Sequence, residues 1–286
     1  MLIAAPMYFA KVITIGSIMQ ISSAFGKVQD SLSTIISSFS TWASYKAVID
    51  RLALFFDSMD SSNEIECLAP KKEGYRFKIN SLNVKTPSGK ILWKDLSLEL
   101  NAGKSLLIRG PSGCGKSTLI KTIAGIWPHA QGEIMEPESY STLFLSQKPY
   151  LPLGTLRDAV SYPGTTVTDG RIEVYLHALS LDHLALSLDK EDNWSQMLSL
   201  GEQQRIAIIR ALLIKPKILF LDEASSALDE RIESVAYDLL RKELDDSMIL
   251  SVGHRSSLIA KHELLLISEN KDGAWKLEKS SDVLKS

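Results

Sequence analysis

The sequence of 286 residues is short of cysteine, of long hydrophobic runs and of any excess of one charge. Cys67 and Cys114 are its two cysteines, and neither stands with a second cysteine or a histidine at metal-ligand spacing. A disulfide framework and a cysteine-built zinc site are thereby excluded, and a reducing, cytosolic setting follows for most of the chain. Lys and Arg number 32 against 34 Asp and Glu, a net charge of −2. That balance provides no broad basic field for sequence-independent nucleic-acid binding, so no nucleic-acid partner is expected. No charged segment with a small-residue cleavage site opens the sequence, and a secretory signal peptide is not expected. With 45% hydrophobic and 23% charged residues, collagen, coiled coil and bulk disorder are excluded as well.

The shortage of charge is local. Between residues 1 and 45 only Lys11, Lys27 and Asp30 are charged. The run 12–26, VITIGSIMQISSAFG, is shorter than the about 20 apolar residues that span a bilayer. Its Gly, Ser and Gln residues suit helix–helix contacts inside a membrane bundle. Residues 12–56 are therefore read as one long helix, its first half in or against a membrane and its second half leaving it. Lys46 and Arg51 near the exit suit a cytoplasmic end. A soluble amphipathic helix packed on the following domain is the alternative. Residues 57–75 are polar and turn-rich, the composition of a linker.

Beyond residue 75, short apolar runs alternate with helical patterns, which predicts an α/β domain with mostly parallel central strands. Strands are expected at 76–82, 91–100, 105–109, 142–145, 218–221 and 248–252, and helices at 116–126, 169–179, 200–213 and 232–244.

Three motifs carry chemistry. Gly110, Pro111, Ser112, Gly113, Cys114, Gly115, Lys116, Ser117 and Thr118 follow an apolar strand and open a helix. A glycine-rich loop in that place can turn successive backbone N–H groups toward phosphate oxygens, and the helix N-terminus adds partial positive charge. Lys116 supplies a point charge for the outer phosphates, and the Ser117 hydroxyl can ligate Mg²⁺. About a hundred residues on, ILFLDE (218–223) reads as a buried strand delivering carboxylates. Asp222 would hold the metal through water and Glu223 would polarise an attacking water. Between them, LSLGEQQR (198–205) opens a helix, and Ser199 with Gly201 forms a further anion-binding start. Cys114, although inside the loop, is given no redox role.

Taken with Gln147, SALD (226–229) and His254, these motifs resemble an ATP-binding cassette domain over about 76–286. The resemblance implies a P-loop NTPase with a RecA-like core, an antiparallel β subdomain and a helical subdomain near 150–212. It implies ATP and Mg²⁺ as ligands, bound between two head-to-tail copies of a homodimer or heterodimer. In that family Gln147 lines the Mg²⁺ site and begins the loop that couples to the membrane domain. Ser199 and Gly201 reach the partner's γ-phosphate, Asp229 bridges the two sites, and His254 contacts the γ-phosphate and the catalytic Glu223.

The stretches GIWP (125–128), QKPYLPLGTLRD (147–158) and SYP (161–163) resemble subfamily D half-transporters and their bacterial relatives. APMYF (5–9), Gly16 and AFG (24–26) resemble the last transmembrane helix of the bacterial branch. Residues 1–56 would then be the end of a transmembrane domain whose other helices come from a partner or lie outside this sequence. A bacterial inner membrane, with the ATPase on its cytoplasmic side, is the implied location. An ATP-hydrolysing transporter subunit is the reading; a soluble cassette ATPase and an inactive truncated remnant are its rivals. Two departures from the family pattern stand out. Leu200 and Glu202 replace a Gly and a Gln of the usual signature, and Lys85, Thr86 and Pro87 occupy the slot of the aromatic that stacks on adenine. Pro87, Trp93 or a partner would have to supply that apolar face.

Overall fold

The computed structural model describes residues 5–63, 67–73, 76–138, 140–164, 169–269 and 273–284. They fall into two compact units, 1–66 and 67–286.

The first unit is helical. A short helix, Ala5–Phe9, precedes the long helix Ile15–Asn63. The expected helix thus begins later than residue 12 and continues through the first third of the stretch read as linker. Nothing between Asp57 and Asn63 is a Gly or Pro, so no helix breaker intervenes. The many hydroxyls are absorbed by the helix itself: Ser31 donates to Lys27 O, Thr34 to Asp30 O and Ser58 to Leu54 O. Large apolar side chains along it, including Phe25, Ile36, Phe39 and Leu54, are exposed. Among the described residues no helix is long and apolar enough to cross a membrane.

The second unit is α/β. Six strands run in the spatial order Trp275–Lys279, Leu264–Ser268, Ser105–Arg109, Met248–Val252, Ile218–Asp222 and Thr142–Leu145. All neighbours are parallel except the Trp275–Lys279 edge. Every residue of Ile218–Asp222 and Met248–Val252 is buried, as expected for parallel strands covered on both faces. Their side chains alternate between two cores. Leu106, Ile108, Phe220, Leu250 and Val252 enter one with Leu119 and Ile123 of the helix Lys116–Ile123; Leu107, Leu219, Leu221 and Ile249 enter the other.

The first core is closed by a second sheet, ordered Lys71–Lys72, Ala130–Glu136, Phe77–Lys85 and Ile91–Leu100. Its two long strands are antiparallel, and alternate residues of Phe77–Lys85 are buried, the pattern of a sheet packed on one face. The pair Lys71–Lys72 lies inside the segment read as linker and pairs with Met135 and Glu136. The second core collects the helices Leu156–Ser161, Asp169–Ala178, Leu200–Ile214 and Glu230–Glu243. Thr155 and Asp158 form a capping box that starts Leu156–Ser161, a T-x-x-D signal present in the sequence.

Candidate nucleotide-binding site

Four parallel strands deliver the functional residues from the same ends. Ser105–Arg109 leads into the loop 110–115, Met248–Val252 into His254, Ile218–Asp222 into Glu223 and Thr142–Leu145 into Gln147. In-register pairing of Val252 with both Ile108 and Asp222 levels three of these ends. The carboxyl edge of an open parallel sheet is the usual place for a ligand, and here topology puts the polar residues there.

The loop winds through Gly110, Gly113 and Gly115, all at positive φ. At Gly115 a Cβ would stand 3.0 Å from the Leu92 side chain and suffer left-handed strain besides, so glycine is required there. Gly115 is the N-cap of Lys116–Ile123 and offers no side-chain cap. The first helical amides are thus left as donors for an anion. Trp93, fully buried, holds the loop from below by donating Nε1–H to Gly115 O at 3.0 Å. Burial of that ring removes it as the adenine platform. Pro87, in contrast, is exposed. A groove of about 680 Å³ lined by Ile91, Leu92, Gly113 and Cys114 adjoins the loop. Cys114 is buried, its amide donating to Pro111 O.

Lys116 Nζ donates to Gly110 O at 3.0 Å and Pro111 O at 2.9 Å, so the loop's own carbonyls hold the ammonium in the loop. Ser117 Oγ donates to Asp222 Oδ1 at 2.6 Å. Burial pushes the Asp222 carboxyl above its ordinary range, and the Ser117 hydrogen bond works in the opposite direction. A hydroxyl and one carboxylate, both hard oxygen donors, are a fitting pair for Mg²⁺, which commonly takes one or two protein oxygens beside water and phosphate. Gln147, expected at this metal, is exposed, and its carbonyl accepts from Gln204 Nε2 at 2.8 Å.

Glu223 has φ 53, an uncommon value for a non-glycine residue. His254 Nε2 lies 3.2 Å from Glu223 Oε1. Arg109 reaches the His254 carbonyl, tying the histidine to the phosphate-loop strand.

Ser199 caps Leu200–Ile214, and its hydroxyl donates to Glu202 Oε2 at 2.7 Å in a reciprocal capping box. Burial raises the Glu202 pKa, but hydrogen bonds from Ser199 and His183 outweigh it and hold the carboxyl below its usual range. Gly201 packs on Ala227 O. Asp229 caps Glu230–Glu243 by accepting from Ile232 N at 2.9 Å. The hydrogen bonds of Ser199 and Asp229 thus serve their own helices, and among the described residues neither is bonded to the phosphate loop.

Sequence reasoning missed two contributors. Buried Glu233 accepts from Ser225, pairs with Arg255 at 3.3 Å, and so links the segments after the two central strands. Gln204, fully buried, binds two loops at once: Nε2 donates toward Gln147 O on one and toward Ser226 Oγ and Glu223 O on the other, where Oε1 also accepts from Ala227 N. Their signal was a buried-face position bearing a polar residue, visible only after the helix faces are known.

Residues 93–226 match the family model for the ABC transporter, and residues 1–60 match the SbmA/BacA-like family. This is an ABC transporter ATP-binding domain. It is related to subfamily D and to the SbmA/BacA half-transporters. A Haemophilus influenzae protein described as an uncharacterized ABC transporter ATP-binding protein is 46% identical over 199 residues, covering 69% of this chain and 33% of that protein. The Escherichia coli inner membrane ABC transporter ATP-binding protein YddA is 33% identical, covering 87% of this chain and 44% of its own. ABC transporter D family member 2, chloroplastic, of Arabidopsis thaliana is 31% identical over 96% of this chain and 50% of its own. The chain therefore spans half or less of the length of these relatives. Among solved structures, a bacterial Atm1-family ABC exporter with ATP bound superposes with a TM-score of 0.63 at 23% identity, covering 78% of this chain and 41% of that one, a likeness of fold.

Proposed function

We propose that the chain hydrolyses Mg-ATP as a subunit of a membrane transporter, working as a head-to-tail dimer with a second ATP-binding domain. The observation that carries this reading is the convergence of Lys116, Ser117, Asp222, Glu223 and His254 at the ends of adjacent parallel strands. Loop amides and Lys116 bind the phosphates; Ser117 and Asp222 would hold Mg²⁺, which when bound neutralises charge on the phosphate oxygens. Glu223 accepts a hydrogen bond from the attacking water and takes its proton as the bond to the γ-phosphorus forms and the bond to the ADP oxygen breaks. His254 orients Glu223 and reaches the γ-phosphate, and Gln147 lines the same space. Ser199 and Gly201 serve the partner's γ-phosphate, with Asp229 between the sites. Residues 1–56 then belong to a transmembrane domain, 57–75 connect it, and 76–286 form the ATPase on the cytoplasmic side of a bacterial inner membrane. Support for the membrane assignment comes from the exposed apolar side chains of Ile15–Asn63 and from the name of the Escherichia coli relative.

The test is oligomeric state. In detergent, full-length Glu223→Gln should become dimeric with Mg-ATP and remain monomeric with ADP by light scattering. Adding Ser199→Arg should abolish the dimer and leave ATP binding nearly intact. A chain that binds ATP and never dimerises under these conditions would contradict the proposal.

A further inference from the structure

We infer that Gln204 is a positioning residue for the hydrolytic step, fixing Glu223 and the start of the Gln147 loop against the helix Leu200–Ile214. Resting on the proposed ATP hydrolysis, this inference assigns a role to a residue of the LSLGEQQR stretch that the phosphate and metal contacts do not use. The side chain is fully buried. Backbone N–H of Ala227 can only donate, so the amide atom 2.9 Å from it must be the oxygen, and the amide orientation is thereby determined. The nitrogen then faces three acceptors with two hydrogens: Gln147 O at 2.8 Å, Ser226 Oγ at 3.2 Å and Glu223 O at 3.4 Å. Those acceptors lie on two loops that leave different strands, and the amide is a bonded bridge between them and the signature helix.

What Gln204 secures is unusual backbone. Glu223 sits at φ 53, where its carbonyl accepts from Ser226 N at 3.0 Å as well as from Gln204. Strained residues persist only where their surroundings over-determine them. Its amide N donates to Val252 O on the neighbouring strand. Gln204 supplies the restraint from the helical side. Without it, the Glu223 backbone can relax toward an ordinary conformation, carrying the carboxylate away from His254. The phosphate loop and Lys116 make no hydrogen bond to Gln204 among the described residues, so nucleotide binding should be insulated from it.

Two variants of the full-length protein in detergent test this. Gln204→Met keeps the length and removes every hydrogen bond. Gln204→Glu keeps the acceptor for Ala227 and turns an oxygen toward the acceptors Gln147 O and Glu223 O. Both should bind ATP within about threefold of the parent and keep KM, while kcat falls by about tenfold or more. That split separates positioning from a loss of folded protein, which would lower active-site concentration without sparing it. A kcat within twofold of the parent, or a loss matched by the unfolded fraction, would overturn the inference. If Gln204→Met does not fold, Gln204→Glu decides. Amide exchange across 223–229 gives a second readout independent of turnover. Faster exchange at Ser226 and Ala227, with the central strands unchanged, supports the role; unchanged exchange there refutes it. Should the parent bind ATP and hydrolyse none, the hydrolytic reading falls by itself, and exchange alone settles the restraint.

Discussion

His254 Nε2 meets Glu223 Oε1 at 3.2 Å because the strands that carry them are neighbours in register, Val252 opposite Asp222. Neither residue belongs to its strand: Glu223 is one position beyond the end and His254 two. Glu223 itself has a left-handed backbone, φ 53. The pair is therefore a product of sheet topology plus one strained residue, and it sits beside the Ser117–Asp222 pair on the same edge.

Removal of the Lys116 ammonium should weaken ATP more than it weakens the fold. Its two partners are the carbonyls of Gly110 and Pro111, and the loop's amides survive in Lys116→Ala. A folded variant should bind ATP at least about tenfold more weakly in calorimetric titration, as loss of a charge-assisted contact implies. Unchanged affinity would show that this loop is not the phosphate site.

Trp93→Phe isolates the support beneath the loop. The variant keeps most of the buried ring and deletes the donor to Gly115 O, a carbonyl that also accepts from Leu119 N. Stability should fall by about 1 kcal/mol, the usual net worth of one hydrogen bond, and ATP affinity should drop with it. Thermal unfolding with and without ATP measures both. A variant with unaltered ATP affinity would show that the indole does not shape the loop.

Acid should unfold the ATP-binding domain through His262. Burial pushes its pKa down to about 4, with nearby Arg241 acting the same way and Leu258 O and Glu263 opposing. Leu258 O can only accept, so Nδ1 carries the proton and Nε2 accepts from Ser251. Between about pH 6.5 and 4 the unfolded chain binds a proton that the folded chain refuses, so stability rises with pH across that window. Going from pH 7 to pH 5 should cost about 2 kcal/mol from this residue. Denaturant midpoints at the two pH values measure it, and His262→Gln should show the smaller acid loss. Equal losses in both proteins would place the acid sensitivity elsewhere.

Much of the ATP-binding domain is legible in sequence because parallel strands buried on both faces read as unbroken apolar runs. Ser105–Arg109, Thr142–Leu145 and Met248–Val252 end where the runs end, and the chemistry stands just beyond them. Leu264–Ser268 has the same apolar character, but no motif follows it to mark it out. Ala130–Glu136 was hidden differently, by a mixed polar composition that suits a strand facing solvent on one side. Within the site, Lys116, Ser117, Asp222, Glu223 and His254 are candidates by motif and strand end, and the fold brings them to one sheet edge. The S-x-x-E spacing of Ser199 and Glu202 is itself a capping-box signal, whereas no pattern gives the burial of Trp93 or the convergence of two loop segments on Gln204. Each depends on which atoms a fold brings within 3 Å, and periodicity carries no such information. The helix Ile15–Asn63 outran its expected end for a related reason: polar composition was read as a linker, although nothing there forbids a helix.

ATP turnover by full-length protein, compared with Glu223→Gln under the same conditions, addresses the central claim most directly. The substitution keeps the side chain's shape and hydrogen bonding to His254 while removing the carboxylate that accepts the proton. Nucleotide affinity should be unchanged within about threefold, and phosphate release should fall by about 10²-fold or more. A variant that binds ATP and releases phosphate at the parent's rate would contradict the assignment of Glu223 and, with it, the account of this site as a hydrolytic one.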